Sequence, residues 1–191
     1  MMEVFNTPSK IIITCNKRLS PYLQEEVKEL GFEIVRAFNT GVELKASVNE
    51  SIRLNLNLRT ASQVLYEIKS FSARNPDELY RNLVTIPWEE LIPFDGYFSV
   101  TSTVHNEFIT TPLFANVKVK DAIVDRIKDK KGVRPNSGPE YNACVIHLHW
   151  MEDRAEIFID TSGETLAKHG YRKVPGKAPM LEALATSTIL A

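Results

Sequence analysis

The sequence predicts an α/β chain, in the segregated α+β sense, that is built from two units. Strand-like and helix-like segments alternate through residues 1–72. A proline-containing break at Arg74–Asp77 then interrupts this series, and a new helical pattern begins there. Residues 143–160 form two segments of alternating apolar and polar residues joined by a tight turn, which predicts an antiparallel strand pair.

The order of segments in residues 1–72 is β-α-β-β-α-β. The helix that begins at Ser20-Pro21 has a favourable N-cap and a proline in its first turn, and Gly31 ends it. The turn residues Asn39-Thr40-Gly41 indicate a hairpin. This order is the ferredoxin-like split βαβ unit. Its predicted elements are Lys10–Cys15, Ser20–Leu30, Glu33–Phe38, Val42–Ala46, Asn49–Leu58 and Ser62–Ser70.

A long helix is predicted over Asn116–Lys131, and Gly132 is its expected stop. Apolar residues recur every four positions along one face, at Val119, Ile123 and Ile127. Aspartates occupy the opposite side, at Asp121, Asp125 and Asp129. Lys120 falls beside Ile127 at the edge of the apolar face. Other elements predicted after the break are a helix at Asp77–Val84, a turn at Trp88, and strands at Phe98–Val104, Ala143–Trp150 and Ala155–Asp160.

Positive charge is concentrated in two blocks, although the formal net charge of the chain is −1. Residues 115–135 carry seven basic and three acidic side chains, +4, and residues 162–177 carry four and one, +3. Residues 136–161 between them carry one and five, −4. If the fold brings the two blocks together, they form a patch that attracts phosphate. The alternative is that both are ordinary solvated surface.

The second block combines cations with an aromatic residue and a glycine, which suits phosphate contact and base stacking. We therefore predict a nucleic-acid-binding surface. Its candidate residues are Lys118, Lys120, Arg126, Lys130, Lys131, Arg134, Lys168, His169, Tyr171, Arg172 and Lys173.

Two motifs could carry other chemistry. His147 and His149 share one strand face, as a metal site requires, but no Cys, Asp or Glu stands at ligand spacing, so an exposed sheet face is favoured. Asp160-Thr-Ser-Gly163 is similar to the loop of aspartic proteases, which need two such loops. We interpret it as a turn held by side-chain to backbone hydrogen bonds. The sequence predicts no catalytic residue and no metal site.

The remaining composition indicates a folded protein of the cytoplasm. Cys15 and Cys144 lie in apolar strand-like runs and are interpreted as buried thiols of a reducing compartment rather than a disulfide. No apolar run approaches the roughly 20 residues of a membrane span, and the amino terminus has no signal-peptide pattern.

Two stretches resemble a known family. Phe114–Arg134, with Lys118-Val-Lys-Asp-Ala-Ile-Val-Asp-Arg126, and Phe158–Arg172, with Asp160-Thr-Ser-Gly-Glu-Thr-Leu-Ala-Lys-His-Gly-Tyr-Arg172, are similar to the RNA-binding THUMP domain of bacterial rRNA guanine-N2-methyltransferases. Trp88-Glu-Glu-Leu also fits, and Ala178–Ala185 looks like the opening of that family's methyltransferase domain. One departure is His169, where many relatives carry a stronger cation before the glycine.

The resemblance implies a ferredoxin-like domain at 1–72, a THUMP domain with a mixed, partly antiparallel sheet at 73–173, and a linker with the start of a methyltransferase domain at 174–191. It implies S-adenosylmethionine as cofactor of the full-length protein and none in this chain, which lacks the family's Asn-Pro-Pro-Tyr motif. The implied partners are rRNA, with the 23S large-subunit RNA as substrate, and the protein's own C-terminal methyltransferase domain. No membrane or DNA partner is implied.

Two other functions stay open at this point. The chain could be a non-catalytic RNA-binding or ribosome-assembly module, or part of a tRNA-modifying enzyme that shares the THUMP unit.

Overall fold

A computed structural model describes residues 6–93, 96–109, 111–141, 143–163, 165–166 and 179–191. The chain divides into two compact units. Unit 1 comprises Met1–Tyr66 and Glu164–Ala191, and unit 2 comprises Glu67–Gly163. The predicted α/β fold class is confirmed.

Unit 1 has the predicted β-α-β-β-α-β order. The strands lie in the order β2-β3-β1-β4, and β1 pairs antiparallel with both β3 and β4. The unit thus has the ferredoxin-like arrangement expected from the sequence. Its elements are β1 (Ser9–Cys15), α1 (Ser20–Glu29), β2 (Ile34–Phe38), β3 (Gly41–Ala46), α2 (Val48–Asn57) and β4 (Ala61–Ser72), the last of which runs across the division between the units.

Local chemistry explains where α2 begins. The Ser47 hydroxyl accepts a hydrogen bond from the Glu50 backbone N–H, and the Glu50 carboxylate accepts one from the Ser47 N–H at 2.7 Å. This reciprocal capping box satisfies two donors that the first helical turn leaves unpaired. The sequence prediction placed the helix start at Asn49 because it overlooked this motif.

A buried carboxylate joins α1 to the start of β4. Glu26 is 4% exposed and accepts hydrogen bonds from the backbone N–H groups of Arg59 and Thr60, from Arg59 Nε at 2.9 Å, and from Thr60 Oγ1 at 2.6 Å. A buried charge is tolerated only when donors surround it in this way. Glu26 therefore fixes the turn between α2 and β4.

Replacing Glu26 by Gln is expected to lower the free energy of unfolding by about 1–3 kcal/mol, because a neutral amide leaves part of this donor cluster unpaired. Urea denaturation measures the change. Glu25→Gln, on the exposed side of the same helix, is the matched control and is expected to leave stability unchanged. Equal stability of the two variants would show that the four hydrogen bonds contribute no net stability.

Unit 2 combines parallel and antiparallel pairing. Its sheet order is β4-β8-β7-β5-β6, with β5 parallel to β6 and to β7, and β7 antiparallel to β8. This is the mixed, partly antiparallel sheet that the family resemblance implied. Its further elements are α3 (Pro76–Leu83), α4 (Trp88–Leu91), β5 (Tyr97–His105), α5 (Pro112–Lys131), β6 (Asn136–Ser137), β7 (Cys144–Met151) and β8 (Arg154–Asp160).

Two tryptophans anchor the core of unit 2. Trp88 and Trp150 are fully buried, and each indole N–H donates to a backbone carbonyl, that of Leu83 at 2.8 Å and that of Ala73 at 3.0 Å. A buried indole needs such an acceptor, so these bonds fix the chain between β4 and β5 against the sheet. The segment at Trp88, predicted as a turn, forms the short helix α4.

The structure corrects two element boundaries in unit 2. Helix α5 begins at Pro112, four residues before the predicted start, because Pro112 and the following apolar residues suit a first helical turn. The two-residue strand β6, which was not among the predicted elements, pairs with the start of β5. Pairing of this kind depends on a distant partner and leaves no local pattern.

The last helix, α6 (Glu182–Leu190), belongs to unit 1, and its Ala183 lies in the core of that unit. Part of the predicted linker, residues 174–178, lies outside the described residues. The assignment of 174–191 to the beginning of another domain stays a prediction. So does the boundary at residue 72.

Both cysteines are free thiols, as predicted. Burial raises the pKa of Cys15 and of Cys144 to about 11. Within the described residues, no helix is long and apolar enough to cross a membrane.

Candidate nucleic-acid interface

Helix α5 carries the first basic block and determines which of its side chains face solvent. The predicted apolar face is confirmed, since Val119, Ile123 and Ile127 are fully buried, and Ala115 and Ala122 extend it. The three aspartates predicted for the opposite face are exposed. Gly132 ends the helix in the left-handed conformation at φ 71°, so Val133 and Arg134 leave the helix axis.

Three of the six predicted cations in this block have acidic partners. Lys118 Nζ lies 3.8 Å from Asp77, and Lys130 Nζ lies 3.3 Å from its neighbour Asp129. Both are surface pairs, which stabilise proteins little and release their cations easily. Arg126 is held far more firmly.

Arg126 forms a two-pronged ion pair with Glu89 of α4. Its Nε and Nη2 donate to the two carboxylate oxygens at 2.9 and 2.7 Å. The hydrogen bonds from Arg126 lower the pKa of Glu89, and the same bonds raise the pKa of Arg126. Both side chains are largely buried, at 24% and 13% exposure. The geometry therefore gives Arg126 a role in fixing α4 to α5, and its contact with nucleic acid stays a prediction.

The other three predicted cations have no ion pair within the described part of the chain. Lys120 and Lys131 are eleven residues apart, about three helical turns, so they lie on the same side of α5. Arg134 follows the helix and is exposed. Lys128 is also exposed and unpaired among the described residues, and the sequence analysis missed it. The sequence could have identified Lys128 as a candidate, because it stands one helical turn before Lys131.

The second basic block lies outside the described residues. This applies to Lys168, His169, Tyr171, Arg172 and Lys173. Their role in binding, and the predicted surface that they share with α5, stay predictions.

The structure adds an aromatic and apolar surface that the sequence analysis missed. Phe108, in the loop before α5, is 50% exposed. Leu113, Phe114 and Val117, in the first two turns of α5, are 74%, 46% and 52% exposed. Because the predicted helix began at residue 116, these side chains were never assigned to a common face.

The histidine pair lies on a face that is half-buried rather than exposed, which corrects the prediction. His147 Nδ1 is 2.8 Å from Thr101 Oγ1, and burial lowers its pKa to about 4. His149 Nδ1 is 3.3 Å from Glu156. Among the described residues no three His, Cys, Asp or Glu side chains are arranged to hold a metal ion.

The Asp160 turn has the predicted structural role. The Asp160 carboxylate accepts a hydrogen bond from the Ser162 backbone N–H at 2.9 Å, and Gly163 adopts φ 69°. A side chain that bonds the backbone two residues on forms an Asx turn, which here ends β8.

Comparison with protein families decides what these two units are. Residues 10–65 match the model of the RlmL ferredoxin-like domain, and residues 73–160 match that of the THUMP domain. The chain carries an RlmL-type ferredoxin-like domain and a THUMP domain. The resemblance drawn from the two sequence stretches is thereby confirmed.

Curated relatives match the chain over nearly its whole length. A ribosomal RNA large subunit methyltransferase K/L of Syntrophotalea carbinolica is 34% identical over 97% of this chain, and one of Magnetococcus marinus is 35% identical over 92%. The match spans 26% and 24% of those two proteins, so the chain corresponds to about a quarter of their length.

Two solved structures have a fold similar to that of this chain. A predicted N6-adenine-specific DNA methylase from Listeria monocytogenes superposes with a TM-score of 0.82 at 28% identity, over 96% of this chain and 48% of the other. A putative methyltransferase complexed with SAH gives a TM-score of 0.81 at 25% identity, with the same two coverages. The fold of this chain thus recurs in proteins named as a predicted methylase and a putative methyltransferase.

Arg126→Met is expected to lower the free energy of unfolding at neutral pH by about 1–3 kcal/mol, because it leaves the Glu89 carboxylate unpaired. Glu89 has a lowered pKa in the folded chain, so its stabilising effect is present above its unfolded pKa and is lost as the pH falls through its folded pKa. The difference between wild type and variant should therefore shrink on acidification. Urea titrations over a pH series measure it.

Lys130→Met is the control for this prediction, since the Lys130–Asp129 pair is exposed and should contribute less than about 0.5 kcal/mol. A difference for Arg126→Met that persists unchanged at low pH would show that packing of the arginine stem, not its charge, stabilises the unit.

Proposed function

We propose that this chain is the RNA-binding part of an S-adenosylmethionine-dependent methyltransferase that modifies a guanine N2 in large-subunit rRNA, in the cytoplasm. The observation that carries the proposal is the match, over almost the entire chain, to relatives named as rRNA large subunit methyltransferases. Its own C-terminal catalytic domain would be the partner that carries out the reaction.

The unpaired cations of unit 2 supply the chemistry for binding. Lys120, Lys128, Lys131 and Arg134 carry charge that no acidic side chain among the described residues neutralises. A phosphate backbone is the complementary ligand, and each contact releases a counterion. Such contacts hold RNA in register without reading its bases. Selection of the target guanine would then belong to the catalytic domain, which must take the base out of its stack.

The described residues do not fit the methyl donor. The turn between β1 and α1 is Asn16-Lys-Arg-Leu19, and the described residues between β5 and α5, 106–109 and 111, also contain no glycine. Nucleotide-type cofactors are cradled at such turns by glycines that let the backbone approach. We assign no step of the reaction to this chain.

Single replacements of Lys120, Lys131 or Arg134 by Ala are expected to weaken binding to unrelated RNA sequences alike. Each should flatten the slope of log affinity against log salt concentration by about 0.7–0.9, the loss of one phosphate contact. Fluorescence anisotropy with a labelled rRNA hairpin at several salt concentrations measures affinity and slope. Lys45→Ala, an exposed lysine of unit 1, is the control.

Unchanged slopes in all three variants would place the RNA on another surface. If wild type binds no RNA at any salt concentration, the proposed RNA-binding function itself is wrong. Thermal melting of each variant confirms that the fold is intact.

The chain by itself is expected to bind no S-adenosylmethionine and to methylate no RNA, because the described residues of the β1–α1 and β5–α5 turns lack the glycines that cradle such a cofactor. Isothermal titration calorimetry of the 191-residue chain with the cofactor tests this. Binding in the micromolar range would contradict the proposed division between RNA binding and catalysis.

A further inference from the structure

An aromatic surface lies at the amino-terminal end of α5, and we define it by Phe108, Leu113, Phe114 and Val117. Val117 stands four residues after Leu113 and three after Phe114, so it neighbours both on the helix. All four are roughly half exposed or more. Single exposed apolar side chains are common on proteins, but four exposed apolar side chains between residues 108 and 117, two of them phenylalanines, indicate a binding surface.

The local structure fixes this surface in place. The Asn106 side chain accepts hydrogen bonds from the backbone N–H groups of Phe108 and Ile109, both at 3.1 Å. Ile109 packs against the core of unit 2, while its neighbour Phe108 is half exposed. The Ser102 hydroxyl also donates to the Pro112 carbonyl at 3.2 Å, which ties the helix start to β5. The exposure of Phe108 follows from an ordered turn.

Two lysines flank the apolar side chains and determine which ligand suits them. Lys118 Nζ is 5.8 Å from the centroid of the Phe114 ring, a cation–π distance. Lys120 stands one helical turn after Val117 and has no ion pair among the described residues. Asp77 and Asp121 lie near Lys118, so a phosphate is repelled there and attracted to Lys120. Aromatic rings beside an unpaired ammonium match a nucleotide, with a base on the ring and a phosphate on the cation.

We propose that Phe108 and Phe114 stack unpaired bases of the bound RNA and that Lys120 binds an adjacent phosphate. The inference rests on the proposed RNA-binding function. It specifies that this part of the surface binds a single-stranded segment of the RNA. A base in a duplex keeps both faces stacked on its neighbours, so only unpaired nucleotides can use the rings. A protein partner would bury the same apolar area without needing Lys120.

The test uses the full chain and two labelled RNA hairpins, one with an unpaired adenosine tail and one whose tail is paired with a complementary strand. Wild type should bind the unpaired tail more tightly. The double variant Phe108→Leu/Phe114→Leu keeps apolar bulk but removes both rings, so it should lose roughly fivefold to a hundredfold in affinity for the unpaired tail. Binding to the paired tail and the salt slope should be unchanged. Phe108→Tyr/Phe114→Tyr should restore most of the preference.

Leu56→Ala is the matched control, since Leu56 of unit 1 is 80% exposed and belongs to no aromatic group. A fluorescent purine analogue in the tail gives a second readout, because stacking on a ring quenches it in wild type and should not in the leucine variant. If the leucine variant binds both hairpins as wild type does, the inference is overturned while RNA binding stands. If wild type binds neither hairpin, both the inference and the proposed function are wrong.

Discussion

Burial of one face of α5 against strand β5 and the helices α3 and α4 is the constraint on which the rest of unit 2 depends. Fully buried residues recur along the helix from Ala115 to Ile127, so the rotation of the helix about its axis is fixed. Once it is fixed, Arg126 must point toward α4, and Lys120 and Lys131 must lie on the other side of the buried face. The core therefore divides the basic residues into a structural group and an available group.

The division has an energetic consequence. The Arg126–Glu89 pair is partly removed from water, so breaking it to bind a phosphate would leave a partly buried carboxylate unpaired. Lys120 remains hydrated and without a partner among the described residues, so a phosphate displaces only water and counterions there. The net charge over residues 115–135 counts Arg126 and Lys120 equally, although only Lys120 is available to bind a phosphate without breaking an ion pair among the described residues.

The fold could be predicted from sequence because its signals are local. Period-four apolar spacing identified α5, glycine at 132 identified its end, and the element order identified the ferredoxin-like unit. The features that the sequence did not predict depend either on partners far away in the chain or on the exact first residue of a helix. Strand β6 exists only because β5 pairs with it, and the burial of His147 comes from packing of its sheet face. The predicted start of α5 was four residues too late, so Phe114 was not recognised as part of the helix. An error at a helix boundary matters most where the proposed binding residues lie at the end of the helix.

A surface made of phosphate contacts and base-stacking rings binds RNA without reading a sequence. Neither ammonium groups on phosphates nor phenyl rings on bases distinguish guanine from the other bases. Such a surface selects by RNA shape, because phosphates must reach the ammonium groups while unpaired bases reach the phenyl rings. Under the proposed function, the described residues of unit 2 would provide affinity and orientation, while choice of the methylated base would require hydrogen bonds to its edges elsewhere. This separation explains why replacing these residues would change how strongly RNA is held rather than which nucleotide is modified.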